Sequence, residues 1–289
     1  MISLATMHIP DTIEAHRYGP QGGLLEEFLR SVRDIGRFAS ITAEAIDHWA
    51  TSRPRLLERS NSILLRLQSH TPEGAVQGAA KIEQSKEDAA FLERHRSNGY
   101  STIFSNALVS IWSALESHID DILLSLVATD KTLLAADLIQ KVKIPLALYE
   151  TMPAGERIAF LIDSIQRDLN SRFKRGVSQF ECIFDAFGLS GSLDDDLRRT
   201  FMEFSGLRNA IVHRRAIVDK RLIESCPWLG LTIGTELRIT IAILNKIMLY
   251  SCLYALLVQE RIVRRYGQAM PPISDAIAEI RSTILLLES

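Results

Sequence analysis

The chain has 289 residues, with 33 Lys and Arg against 35 Asp and Glu and a formal net charge of −2. Hydrophobic residues make up 47% and charged residues 24%, a composition that can bury a core large enough to offset ordering entropy. These figures exclude intrinsic disorder and a globally basic nucleic-acid binder, so any affinity for RNA or DNA has to come from a local patch.

The opening stretch MISLATMHIPDTIEAH has neither the basic run nor the apolar core of a secretory signal. Cys182, Cys226 and Cys252 are widely spaced and odd in number, which fits neither a disulfide framework nor a zinc set. A cytoplasmic location is expected. The apolar run Ile241 to Val258 is interrupted by Asn245 and Lys246 and followed by charge, so it reads as a buried or interface helix, with no membrane partner.

The hydrophobic period is helical nearly throughout, which predicts an all-α fold. Leu25, Phe28, Val32, Ile35, Ala39, Thr42, Ile46 and Trp49 recur in steps of three and four, the spacing of a narrow buried seam. Pro54 is expected to end or interrupt that helix, with a second one following through Ile63, Leu64 and Leu67. Pro72 starts a charged third helix running to about Arg96. After Asn98-Gly99 the seam Phe104, Leu108, Ile111, Leu115, Ile119, Ile122 and Leu126 marks a core helix. Residues 1–96 are therefore read as an N-terminal helical region with a regulatory or dimerising role, and 97–289 as a helical bundle. Within the bundle, helices are expected over Glu156 to Phe173, Val177 to Phe187, from about Leu193 with Ser192 as cap, and over Thr240 to Tyr266. Trp228 to Ile239 reads as irregular or a short hairpin around Gly230 and Gly234, and Pro271-Pro272 introduces a terminal helix.

The chemistry concentrates in LDDDLRRTFMEFSGLRNAIVHRRAIVDKRL, Leu193 to Leu222. Its seam runs Leu197, Phe201, Phe204, Arg208, Ile211, so an arginine stands where the pattern asks for leucine. Arginine is seldom buried without a partner, because stripping water from its charge is costly. Asn209 and His213 are four apart and share a helix face, and Gly206 lets a helix or ligand approach the backbone. Arg198, Arg199, Arg214, Arg215, Lys220 and Arg221 surround this trio as a local basic surface suited to phosphates.

Three readings of the trio stand side by side. One is structural, with Arg208 paired to a core acid such as Glu116 and His213 a satisfied core histidine. The second is metal-free RNA cleavage: a histidine moves the 2′-OH or leaving-group proton, an arginine stabilises charge growing on phosphorus, and an asparagine orients either. The third is nucleotide or RNA binding without catalysis. The second wants an acid and a base on opposite sides of phosphorus. A two-fold dimer with two copies of Arg208 and His213 around one cleft supplies both. Two other candidates carry less: Asp194-Asp195-Asp196 reads as a helix N-terminus rather than a metal site, and His118 with Asp120 and Asp121 reads as a solvated flank.

The run Arg208 to His213 resembles the Arg-x-x-x-x-His signature of HEPN domains, with a polar residue directly after the arginine. The helix Asn106 to Leu126 and the long late helix are similar to that family's bundle, and the resemblance covers about Ser97 to Tyr266. It implies a HEPN-like bundle with extra N-terminal helices. It also implies a metal-independent, cofactor-free endoribonuclease acting as a toxin or anti-phage effector. Such enzymes are homodimers with a composite site, and they leave a 2′,3′-cyclic phosphate. Arg208 and His213 match the catalytic pair and Asn209 the accessory polar position; an antitoxin or a sensor is the implied protein partner. Some members are non-catalytic interaction modules, which is the alternative implied.

Overall fold

The computed structural model describes residues 20–67, 72–169, 174–267 and 271–288. Among these the fold is all-α, without a β-sheet: the one bridge of strand type links Ile217 and Glu236. The long helices are α1 (Pro20–Leu67), α2 (Pro72–Ser97) and α3 (Ser101–Thr129). Two short helices follow, α4 (Asp137–Gln140) and α5 (Leu146–Thr151). Next come α6 (Ala154–Asp168), α7 (Ser178–Ala186), α8 (Asp195–Arg214), α9 (Lys220–Ser225), α10 (Ile241–Arg265) and α11 (Pro271–Glu288).

The centre is α3 against α10. Every residue of the α3 seam is buried, and α10 buries Leu244, Met248, Cys252, Leu256 and Val263 among others. α1 lies along both and α2 folds back on α1, while α8 and α6 pack on α3 and α11 packs on α10. The side chains Leu25, Phe28, Val32 and Ala39 of α1 belong to the same core as α3 and α10. α10 is long and apolar enough to cross a membrane by length and composition, and 72% of its most apolar window is buried inside the protein. That is the packing of a core helix.

An aromatic cluster sets the depth of α8. Trp112 of α3 meets Phe204 edge-on with centroids 4.8 Å apart, and Phe201 meets Tyr254 of α10 at 5.1 Å. Tyr254 donates to Glu181 at 2.8 Å, and Arg261 Nη1 pairs with the same carboxylate at 2.9 Å, so a nearly buried charge pair joins α7 and α10.

Three local expectations need correction and a fourth is narrowed. Helix α1 runs through Pro54 to Leu67, so Ile63, Leu64 and Leu67 continue the first helix; the ring deletes one backbone N–H, and the neighbouring turns hold. The cap of α8 is Asp194 rather than Ser192, its side chain accepting from Leu197 N at 2.8 Å. Of the two readings of Trp228 to Ile239 the irregular one holds, with no hairpin around Gly230 and Gly234. The segment pairs with the stretch after α8, through Val218 N to Thr235 O at 2.9 Å and Leu237 N to Ala216 O at 2.7 Å. His118 is buried rather than solvated. Its ring stacks on Phe28 with centroids 4.6 Å apart, and burial pushes its pKa down to about 3. Asp120 and Asp121 beside it are exposed, so one turn of α3 carries both environments.

Candidate active site

Helix α8 carries the trio because its two ends differ. At the start, Asp194 caps while Asp195 and Asp196 favour the positive helix end, and Leu197, Phe201 and Phe204 descend into the core. One turn later the seam reaches the bundle surface. Arg208 is half-buried there and His213 is exposed. The helix closes without glycine: Arg215 and Ala216 hold φ of 55° and 59°, a left-handed conformation that costs non-glycine residues on the order of 1 kcal/mol each. This turn reverses the chain, so α9, capped by Asp219, packs back on α8.

Gly206 makes that return possible. A Cβ there would stand 2.8 Å from Leu222 Cδ1, so the missing side chain accommodates a helix, the first of the two options the sequence allowed. Leu222 seats on α8, and its neighbour Arg221 reaches the site. Cys226 lies behind Gly206; burial raises its thiol to about 11, which keeps it protonated and non-nucleophilic at neutral pH.

The trio comes together. Arg208 Nη1 donates to Asn209 Oδ1 at 3.2 Å and lies 3.5 Å from His213 Nε2. With the imidazole neutral and its proton on Nδ1, Nε2 accepts from the guanidinium. Arg208 Nε is buried with no hydrogen-bond partner among the described residues. Glu116, the acid of the structural reading, is held by Gln179 of α7 at 3.0 Å. Among the described residues Arg208 has no ion-pair partner. A half-buried cation held only by an amide and an imidazole is poised for an anion.

Two adjoining clefts of about 380 and 440 Å³ meet at this residue, sharing Arg175, Ser205, Arg208, Asn209 and Arg221. His213 and Arg214 line only the second, which also includes Asp219. Arg214 pairs with Asp219 at 3.3 Å. Of the expected basic residues, Arg221 and Arg214 thus line the site. Arg198, Arg199, Arg215 and Lys220 lie outside both clefts. Arg198 donates to Leu193 O at 3.3 Å, Arg199 sits 4.8 Å over the Trp228 ring, and Lys220 pairs with Glu224 at 3.6 Å. Arg199 is also nine residues before Arg208, about 14 Å along the helix axis.

The site includes cations that periodicity missed. Lys174 and Arg175 precede α7 and line the first cleft, Arg175 lining the second too. Gly176 puts them there. Its φ is +58°, its N–H donates to Ser205 Oγ at 3.1 Å, and a Cβ would approach Met202 N to 3.0 Å, so the loop lies directly on α8. Arg175 then hydrogen-bonds to Ser225 Oγ at the end of α9, bridging the site from loop to helix. The sequence signal is two cations immediately before a glycine.

Compared with protein-family models, curated proteins and solved structures, the chain matches none.

Proposed function

We propose that the protein is a metal-independent endoribonuclease of HEPN type that cleaves RNA by 2′-OH transesterification. The observation that carries this reading is Arg208, held 3.2 Å from Asn209 and 3.5 Å from His213 with no carboxylate among the described residues paired to it, in a cleft that also contains Lys174, Arg175 and Arg221. His213 takes the proton from the 2′-OH or gives one to the leaving 5′-oxygen, Arg208 stabilises the charge that grows on the equatorial phosphate oxygens, and Asn209 fixes the guanidinium. Attack by the 2′-OH expels the 5′-oxygen of the next nucleotide. The products are a 2′,3′-cyclic phosphate and a free 5′-hydroxyl, and neither a metal nor a cofactor takes part.

One histidine serves one side of phosphorus. His213 and Val212 are exposed at the end of α8, which leaves room for a second copy to supply the opposite proton transfer, so a homodimer is part of the proposal. Three unpaired cysteines suit a reducing cytoplasm, where a toxin or anti-phage effector would act under the control of an antitoxin or sensor.

The test incubates purified protein with a mixed-sequence RNA in excess EDTA, beside folded His213→Ala and Arg208→Ala variants. Cleavage by wild type alone is expected. Cleavage that needs a metal, or that survives both substitutions, overturns the mechanism. RNA binding with no cleavage by any form supports a non-catalytic module instead.

A further inference from the structure

The first cleft holds groups that proton transfer and phosphate binding do not use. Glu116 and Asp120 are four apart on α3, hence on one helix face, and both line the cleft together with Arg208 and Asn209. Each is gripped by a glutamine from a different helix. Gln179 of α7 donates to Glu116 Oε1 at 3.0 Å, and Gln166 of α6 donates to Asp120 Oδ1 at 2.7 Å. An amide on each carboxylate fixes the plane in which it accepts.

Glu116 shares this space with Lys174, Arg175, Arg208 and Arg221, yet among the described residues it forms no ion pair with any of them. Glu116 and these four cations, lining one cleft of about 380 Å³ without closing on each other, leave a polarised gap. The complementary ligand is itself polarised, with N–H donors at one end and an anion at the other. A nucleotide has that form: base donors meet the acid, and phosphate meets the cations. The cleft is within the usual volume range of small-ligand sites.

We infer that this cleft is a base-selecting subsite that takes an unpaired guanine next to the phosphate held by Arg208, with Glu116 as the selecting residue and Gln179 as its positioning residue. An ionised carboxylate only accepts. Guanine is the one standard base with two N–H donors side by side on its pairing edge, N1–H and N2–H. Adenine and cytosine set a ring-nitrogen acceptor beside their single amine, and uracil flanks its N–H with two carbonyls. Against Glu116 those acceptors meet lone pairs. Reading the pairing edge of a splayed base is the usual route to sequence preference on single-stranded RNA.

The inference rests on the ribonuclease reading for its substrate class, and its test does not require cleavage. Labelled 2′-O-methyl RNA octamers of adenosine, with G, C, U or A at one central position, cannot undergo transesterification. Their affinities for the full-length protein are measured by fluorescence anisotropy. The G-containing octamer is expected to bind at least about tenfold more tightly than the other three, in line with the discrimination of one bidentate base contact. The isosteric Glu116→Gln variant should lose that preference while still binding all four, and Gln179→Met should reduce it. Thermal unfolding checks that both variants fold. Equal affinity for the four octamers, or a preference that survives Glu116→Gln, overturns the inference whether or not RNA is cleaved. Guanine discrimination in a protein that never cleaves RNA keeps the subsite and removes the ribonuclease reading.

Discussion

Arg208 Nη1 lies 3.5 Å from His213 Nε2, although the two residues are five apart on α8 and leave the helix in different directions. The long guanidinium stem curls across to reach the imidazole. The pair therefore works as a unit, and its members should fail together. His213→Ala is expected to lower RNA cleavage by about 10²–10⁴-fold, the usual contribution of a positioned acid or base. Arg208→Lys should lose nearly as much as Arg208→Ala, because an ammonium cannot keep the planar contacts to Asn209 and His213 while also facing phosphate. Single-turnover rates of the three variants check this; a lysine variant near wild-type rate would assign Arg208 no more than a point charge.

Phosphate contacts should show in the salt dependence of RNA binding. Removing one cation from the cleft lowers the slope of log K against log salt by roughly 0.7 for single-stranded RNA. Arg175→Ala and Arg221→Ala are each expected to do so, and Arg199→Ala, whose guanidinium lies over Trp228, is not. Gly176→Ala should mimic Arg175→Ala, since its Cβ meets the α8 backbone at 3.0 Å in a left-handed conformation. Slopes fitted to titrations at several salt concentrations distinguish these outcomes. Identical slopes for all four variants would place RNA elsewhere.

Burial of His118 links stability to pH. The folded imidazole takes up a proton only near pH 3, whereas the unfolded chain does so near 6.5. Between those values the unfolded state binds the extra proton, so stability falls as pH drops below about 6.5 and levels off below about 3. From this residue alone, going from pH 8 to pH 5 costs about 2 kcal/mol. His118→Phe keeps an aromatic ring against Phe28 and removes the titration, so the unfolding free energies from urea titrations at the two pH values should draw closer by that amount. An unchanged gap would mean that His118 is hydrated in the folded protein.

Gln259 is one of three buried polar residues of α10, with Asn245 and Ser251. It is fully buried, and neither side-chain polar atom has a hydrogen-bond partner among the described residues. Replacing it with methionine should stabilise the protein by about 1–2 kcal/mol in urea unfolding, because a desolvated amide is exchanged for an apolar chain of similar length. A loss of stability would reveal a bound water or an unrecognised polar contact.

Much of this architecture was legible in the chain. The α3 seam and the displaced arginine of α8 could be read from spacing alone, because a helix buries one face at a fixed period. What periodicity missed depends on neighbours. His118 stands one turn from Leu115 and Ile122 on the buried side, and its environment is set by α1, some ninety residues earlier, through the ring of Phe28 and a backbone hydrogen bond with Leu24. Lys174 and Arg175 lie in a loop, where no period applies, and the fit of Gly176 against α8 fixes their place. The basic stretch Arg198 to Arg221 looked like one surface, but helical rise and the return of α9 divide it between the cleft and the Trp228 face.

The most direct test of the central claim is the chemical form of the RNA ends. Wild-type protein acting on a mixed-sequence RNA in EDTA, with the fragments analysed by mass spectrometry, should give 2′,3′-cyclic phosphates and 5′-hydroxyls, and His213→Ala should give neither. Fragments with 3′-hydroxyl and 5′-phosphate ends, or cyclic phosphates formed equally by His213→Ala, would contradict it.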